Sequence, residues 1–101
     1  MQCIPVIIPA YEPDKRLLLL LRQLIEQSIS SIVIVNDGSS QNYNSIFEET
    51  SNIINGNGKL ICHNENKGKG SALKTAFEYI LSTYPNLVGT VTADLDGQHT
   101  V

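Results

Sequence analysis

The sequence predicts an α/β fold, a three-layer α/β/α sandwich built around a mainly parallel sheet, and two observations support this prediction. Short apolar runs alternate along the chain with longer segments whose apolar residues recur at helical spacing. The short runs are apolar throughout, which is typical of strands in a parallel sheet that helices cover on both faces. We therefore expect four strands joined by three helices.

The flanking residues mark the first strand and the first helix. The run over 4–8 is apolar and rich in β-branched residues, and the segment between Pro9 and Pro13 interrupts it. Pro13 suits the first turn of a helix, and leucines then recur at helical spacing to about Gln27. A strand over 4–8 and a helix over 13–27 are the expected elements.

The rest of the chain repeats the same alternation of strand and helix. Asn55–Gly58 has the composition of a turn, and Tyr84–Pro85 is expected to end the last helix. In that helix, Leu73, Phe77 and their helically spaced neighbours form one apolar stripe. The expected elements are strands at 32–35, 60–62 and 87–93, a helix at 44–54, and a helix from about 70 to 83.

Composition indicates one small domain over 1–101 with an ordinary core. The formal net charge of −3 argues against a nucleic-acid-binding surface. The two cysteines, Cys3 and Cys62, lack metal-ligand spacing and are expected to be buried reduced thiols. No basic region precedes the first apolar run, and Leu17–Leu21 is too short to span a bilayer, so a cytoplasmic location is expected.

Polar residues follow each predicted strand, at the edge where parallel sheets bind ligands. Each cluster alone is compatible with an ordinary loop, but four clusters at one rim indicate a site. The clusters are Tyr11 and Glu12 after the first strand, Asp37 after the second, Lys67–Gly70 after the third, and Asp94 and Asp96 after the fourth.

Asp94 and Asp96 are separated by one residue and follow an apolar run. In an extended segment both side chains project to the same side, where the two carboxylates repel each other unless a cation joins them. Their oxygen atoms suit Mg²⁺ or Mn²⁺. The alternative is an ordinary turn, in which Asp and Gly are favoured for local reasons.

The other clusters also leave alternatives open. The Lys67–Gly70 loop resembles a phosphate loop, but it is not a Walker A sequence, and Leu73 replaces the third glycine of the dinucleotide fingerprint. A flexible connection between strand and helix explains it equally well. Asp37 suits a hydrogen bond to a base or ribose, or the cap of a turn, and Tyr11 suits ring stacking or local packing. His63 gives no sign of a function.

In combination, these motifs resemble the family 2 glycosyltransferases, which have the GT-A nucleotide-sugar-binding fold. Four segments carry the resemblance in the family's order: 7–11, 34–39, 66–70 and 93–99. The last two are similar to those of the branch that transfers sugars to polyprenyl phosphates. Two alternatives are a non-catalytic nucleotide-binding or oligomer-forming module and a phosphatase of the haloacid-dehalogenase type, whose Asp-x-Asp motif follows the first strand instead of the fourth.

The resemblance implies a donor, a metal and roles for the matching residues. The donor would be a UDP- or GDP-linked sugar, and Mg²⁺ or Mn²⁺ would stabilise its diphosphate in a reaction that inverts the anomeric centre. Asp96 would be the main metal ligand, with Asp94 beside it at the ribose or a metal-bound water. The implied nucleotide-sugar-binding residues are Pro9, Ala10, Tyr11, Glu12, Asp37, Lys67, Gly68, Lys69, Gly70 and Asp94.

Members of this family continue well past the Asp-x-Asp motif. The resemblance therefore implies the donor-binding half of a glycosyltransferase, truncated after the fourth strand and inactive alone, with the catalytic base beyond residue 101. A polyprenyl phosphate acceptor and a membrane-associated parent enzyme are compatible with it. A half-sheet would also leave an open edge at the fourth strand or its neighbour, which favours self-association.

Overall fold

The computed structural model describes residues 5–29, 31–83 and 91–92. Within them, four parallel strands form one sheet in the order β3-β2-β1-β4. The strands are β1 (Val6–Ala10), β2 (Ile32–Asn36), β3 (Gly58–Cys62) and β4 (Val91–Thr92), and the helices are α1 (Arg16–Glu26), α2 (Asn44–Ile53) and α3 (Lys69–Thr83), with a 3-10 turn at Gln41–Tyr43 before α2. The predicted α/β class and parallel sheet are confirmed.

The helices cover the sheet on both faces. Ile8 and Ile34 project toward α1 and α2, where Leu17, Leu21 and Phe47 complete one apolar core. The alternate residues of β1 and β2 project to the other face and pack against α3, which contributes small side chains along its buried stripe. That second core consists of Ile7, Val33, Val35, Ala72, Ala76 and Ile80. The three-layer arrangement is therefore confirmed.

The boundaries of the first two elements differ from the predicted ones. β1 continues through Ala10, because Pro9 and Ala10 keep the parallel register with β2 and the Ala10 carbonyl accepts the Asp37 N–H at 2.9 Å. Pro9 lacks only a donor and does not end the strand. α1 begins at Arg16 instead of Pro13, and the Asp14 carboxylate, two residues earlier, accepts the otherwise unpaired Arg16 N–H of the first turn at 2.9 Å.

β3 begins two residues before its predicted start, at Gly58. A Cβ atom at Gly58 would lie 2.3 Å from the Ile32 carbonyl oxygen, so this close pairing with β2 requires glycine. β3 is an outer strand of the described sheet, and Cys62 at its end is exposed with a free thiol. The expectation that Cys62 is buried is therefore wrong, because a central strand would bury this position and an edge strand does not.

The order of the strands reverses next to β1. The chain moves from β1 outward to β2 and β3, and β4 then pairs with the opposite side of β1, with Val91 beside Val6 and Thr92 beside Ile7. In open α/β sheets, ligands bind in the crevice beyond the carboxyl ends of the strands at such a reversal. The remainder of the predicted fourth strand, over 87–93, lies outside the described residues.

None of the helices among the described residues is long and apolar enough to cross a membrane.

Candidate functional site

A cleft of about 440 Å³ opens at the carboxyl end of β1, beside the reversal in strand order. Seven predicted site residues line it: Pro9, Ala10, Tyr11, Glu12, Asp37, Gly68 and Lys69. Lys67 and Gly70 are near neighbours in the chain that do not line it, and Asp94 and Asp96 lie outside the described residues. The lining residues that the sequence analysis did not select are Pro13, Asp14, Arg16, Asn66 and Ala72.

The loop after β1 is tied to the loop after β2. Glu12 has a φ of 48°, in the left-handed region that few residues other than glycine adopt, and its N–H donates to Ser39 Oγ at 2.8 Å. The Ser39 N–H in turn donates to Asn36 Oδ1 at 3.0 Å. Tyr11, the residue before Glu12, has 51% of its surface exposed, so its ring is presented to solvent and is not packed into the core.

Asp37 joins the loop after β2 to the loop between β3 and α3 at this rim. It is 4% exposed, and its Oδ1 accepts the Lys67 N–H at 3.0 Å while Oδ2 accepts the Gly68 N–H at 2.9 Å. His63 Nδ1 lies 2.8 Å from the same Oδ1. The carboxylate therefore lines the cleft and holds the loop before α3, so that loop is not a loose connection.

His63 is a site residue that the sequence analysis missed. Its side chain is 9% exposed, and Nε2 lies 2.8 Å from Thr75 Oγ1 on α3. Because the Asp37 carboxylate only accepts, Nδ1 must carry a proton, and in the neutral ring Nε2 then accepts the Thr75 hydroxyl. The rule that selected Asp37, that polar residues follow a strand at the carboxyl rim, applies equally to His63, which directly follows β3.

Opposing effects set the pKa of Asp37. Burial is the largest and acts to raise the pKa, but the hydrogen bonds from His63 and from the Lys67 and Gly68 amides together outweigh it. The pKa of Asp37 therefore lies below its ordinary value, and the carboxylate is ionised at neutral pH. Its negative charge at the N-terminal end of α3 is also favourable to the dipole of that helix.

An exposed ion pair lies at the mouth of the cleft. Arg16 Nε contacts Asp14 Oδ1 at 3.0 Å, and both side chains are more than half exposed. The hydrogen bond to Arg16 lowers the pKa of Asp14. Pairs of this kind stabilise a fold little, because water competes for both charges. Arg16 thus brings a permanent cation to the mouth of a cleft that Lys69 also lines.

The effect of acid on stability should reveal the depressed pKa of Asp37. A carboxylate with a lower pKa in the folded than in the unfolded chain stabilises the fold above the unfolded value, about 4, and this stabilisation disappears as the pH falls through the folded pKa. We expect the wild-type unfolding free energy to fall steeply below about pH 4, and that of Asp37→Asn to fall less. Urea titrations over about pH 7 to 3 measure both.

Glu48→Gln, which removes an exposed carboxylate of α2, is the control for the loss of one negative charge. A constant difference in unfolding free energy between wild type and Asp37→Asn over the whole range would contradict the assignment of this acid limb to Asp37.

Two glycines around Asp37 differ in their surroundings. Gly38 has a φ of 72°, and a Cβ atom there would lie 2.2 Å from the Glu65 carbonyl carbon, so the loops after β2 and β3 are in direct backbone contact. Gly68 has a φ of 94°, and its missing Cβ would meet nothing within 4 Å. Gly38 is therefore required by its backbone angle and by close packing, whereas Gly68 is required by its backbone angle alone.

The described residues include no group of three or more His, Cys, Asp or Glu side chains that could hold a metal ion. Asp37 is engaged by internal donors, and Glu12 and Asp14 are exposed. The predicted metal ligands, Asp94 and Asp96, are not among these residues.

An open parallel sheet with a cleft at its strand reversal is the arrangement in which α/β domains bind ligands. The chain belongs to glycosyl transferase family 2, whose profile matches residues 6–99. This confirms the family that the four sequence segments indicate.

The chain is similar to two proteins of Methanocaldococcus jannaschii. It is 34% identical to the uncharacterized protein MJ1222 over 95 residues, which cover 93% of this chain and 35% of that protein. It is also 34% identical to the uncharacterized protein MJ0544 over 76 residues, which cover 75% of this chain and 33% of that protein. The chain thus spans about a third of the length of these relatives. No solved structure matches it.

Proposed function

We propose that the cleft binds the nucleotide part of a nucleotide-diphosphate sugar, and that the whole protein transfers the sugar to an acceptor with inversion. One observation carries the proposal: three of the segments that match the family, at 7–11, 34–39 and 66–70, contribute residues to one cleft at the strand reversal. Family membership supports glycosyl transfer as the reaction class. By itself, the 101-residue chain is proposed to bind the donor without transferring the sugar.

The lining of the cleft suits the parts of such a donor. The exposed ring of Tyr11 offers a stacking surface for the base. Lys69 begins α3 at the cleft wall, where the helix dipole and the ammonium group favour the diphosphate. Because the Lys67 and Gly68 amides already donate to Asp37, we assign the anion to the first turn of α3 and not to the loop before it.

The charge of the cleft supports a role for a divalent cation. Three carboxylates line it, from Glu12, Asp14 and Asp37, and two cations, from Arg16 and Lys69. Because the acidic groups outnumber the basic ones, a divalent cation would help the cleft to hold a diphosphate. We propose Asp96 as the main ligand of Mg²⁺ or Mn²⁺ with Asp94 beside it, since carboxylate oxygens suit both ions. The metal would stabilise the charge that develops on the diphosphate leaving group.

The register of β4 supports this placement of the two aspartates in the chain. Thr92 pairs with Ile7, and Asp94 lies two residues beyond Thr92, as Pro9 at the cleft lies two residues beyond Ile7. The same position, after three strands, disfavours a phosphatase of the haloacid-dehalogenase type. UDP or GDP as the nucleotide, a polyprenyl phosphate as the acceptor, a cytoplasmic site of action and self-association through a sheet edge belong to the proposal.

Titration calorimetry with UDP and with GDP, in Mn²⁺ or in a chelator, tests the proposal. We expect at least one nucleotide to bind more tightly with Mn²⁺. Asp96→Ala should remove that gain, because it deletes a charge-assisted metal contact worth about 2 kcal/mol, or roughly thirtyfold in affinity. Glu49→Ala, on an exposed position of α2, is the matched control.

Absence of binding by both nucleotides in both conditions would contradict the donor site. Equal affinity with Mn²⁺ and with chelator would contradict only the proposed role of the metal ion.

A further inference from the structure

A buried chain of hydrogen bonds runs from β2 through β3 to α3, behind the cleft. Asp37 at the end of β2 contacts His63 at 2.8 Å, and His63 contacts Thr75 on α3 at 2.8 Å. The His63 and Asp37 side chains are 9% and 5% exposed. Of these three residues, Asp37 lines the cleft, so His63 and Thr75 act on it only through their neighbours.

Most of the acceptor capacity of the carboxylate at one end of this chain is taken up by the protein itself. Oδ1 takes two donors and Oδ2 takes one. A ligand group could use the remaining lone pair of Oδ2, and any further contact would have to displace a donor. What Asp37 controls directly is the backbone at Lys67 and Gly68, the two residues that immediately precede α3.

His63 links Asp37 to the body of helix α3. The Asp37 carboxylate accepts hydrogen bonds from the Lys67 and Gly68 amides. These two bonds fix the carboxylate and the backbone of 67–68 relative to each other, but neither bond involves a residue within α3. The bond to Thr75, in the second turn of α3, attaches the carboxylate to the body of the helix. The Thr75 hydroxyl can accept as well as donate, so the bond persists whether or not His63 is protonated.

Two further hydrogen bonds connect the Gly68 backbone to Asn66 and to α3. The Gly68 N–H also donates to Asn66 Oδ1 at 3.0 Å, and the Gly68 carbonyl accepts the Ala72 N–H at 3.1 Å, which starts the hydrogen bonding of α3. A displacement of Gly68 would therefore be passed on to the first turn of the helix and to Lys69 at the cleft wall.

We propose that His63 is a positioning residue of the donor site: by bridging Asp37 and Thr75 it fixes the 66–68 turn, and with it the first turn of α3, in the arrangement that receives a nucleoside diphosphate. The identity of the ligand rests on the proposed function. The fixing of the turn does not, because it is a property of the ligand-free chain.

The paired variants Thr75→Val and Thr75→Ser test the proposal in the full chain. Valine keeps the shape of threonine but removes the hydroxyl, whereas serine keeps the hydroxyl. Hydrogen exchange followed by NMR, without nucleotide, should show the Lys67 and Gly68 amides exchanging about tenfold faster in Thr75→Val, with Thr75→Ser close to wild type. The amides of Val33 and Ile34 in β2 serve as the internal reference.

The second measurement is the dissociation constant for UDP and for GDP with Mn²⁺. It should rise about tenfold in Thr75→Val and recover in Thr75→Ser. If Thr75→Val does not fold, His63→Asn replaces it, since its amide can still donate to Asp37 but cannot reach Thr75; the same two results are then expected.

The outcomes separate the two proposals. Unchanged exchange at Lys67 and Gly68 in Thr75→Val would overturn the fixing of the turn, whatever the nucleotide does. Faster exchange with an unchanged dissociation constant would overturn the positioning role. If wild type binds neither nucleotide, the proposed function fails and with it the donor role of His63, while the exchange result still decides whether the turn is held through Thr75.

Discussion

Replacement of Gly38 by alanine is expected to lower the free energy of unfolding by about 3 kcal/mol, the largest effect of any single methyl group near the cleft. The φ of 72° costs an L-residue about 1–2 kcal/mol. The added Cβ would also lie 2.2 Å from the Glu65 carbonyl carbon. Moving that backbone away costs a further amount of about 1–3 kcal/mol, as is typical of overpacking. Urea denaturation measures the sum.

Gly56→Ala is the matched control for this experiment. Gly56 has a φ of 85°, but a Cβ there would meet nothing within 4 Å. The Gly56→Ala substitution should therefore cost only the free energy of placing an L-residue at a positive φ, about 1–2 kcal/mol. Equal costs at Gly38 and Gly56 would show that the contact between the loops after β2 and β3 does not constrain the fold. Because that contact places the turn at 66–68, Gly38→Ala should also weaken nucleotide binding.

The second large effect is expected for Asp37→Ala at neutral pH, with a loss of about 2–3 kcal/mol. The substitution removes the acceptor of His63 and of the Lys67 and Gly68 amides. A buried donor left without a partner costs about 1–3 kcal/mol. Lys67 is exposed, so its amide can turn to water, and most of the cost falls on the ring of His63.

A double-mutant cycle separates this contact from other effects of the substitution. His63→Leu removes the donor that Asp37→Ala leaves unpaired, so the double variant should be less destabilised than the sum of the single variants by about 1 kcal/mol or more. Additive costs would mean that the two side chains stabilise the fold independently and that the 2.8 Å contact contributes nothing of its own.

Much of the fold could be predicted from local pattern, whereas the order of the strands could not. Continuous apolar runs identify β1 and β2 because both faces of these strands are buried. The same pattern at Leu60–Cys62 does not reveal that β3 is an outer strand, since apolar sequence is compatible with either position, and the exposure of Cys62 follows from that.

The site was predicted to a similar extent and for related reasons. The rule that polar residues just after a strand mark the ligand site found Tyr11, Glu12 and Asp37. It requires only that the ends of the strands are predicted correctly. It did not find the pairing of Asp37 with His63, which depends on register: Asn36 lies beside Cys62, so the next residue of each strand lies beside the other. A slip of one residue would move every side chain of a strand to the other face, so register depends on how both strands pack together and cannot be read from one strand alone.

The position of β1 in the sheet has a consequence for the order in which the strands assemble during folding. β1 pairs with β2 through Val6 and Ile32, near each other in the chain, but with β4 through Val6 and Val91, almost the whole sequence apart. Loop closure over a longer span costs more entropy, and pairings of high sequence separation form slowly. As the chain emerges from the ribosome, the first three strands can assemble before β4 is synthesised, so the side of β1 at which the strand order reverses is completed only after the pairing of β1, β2 and β3.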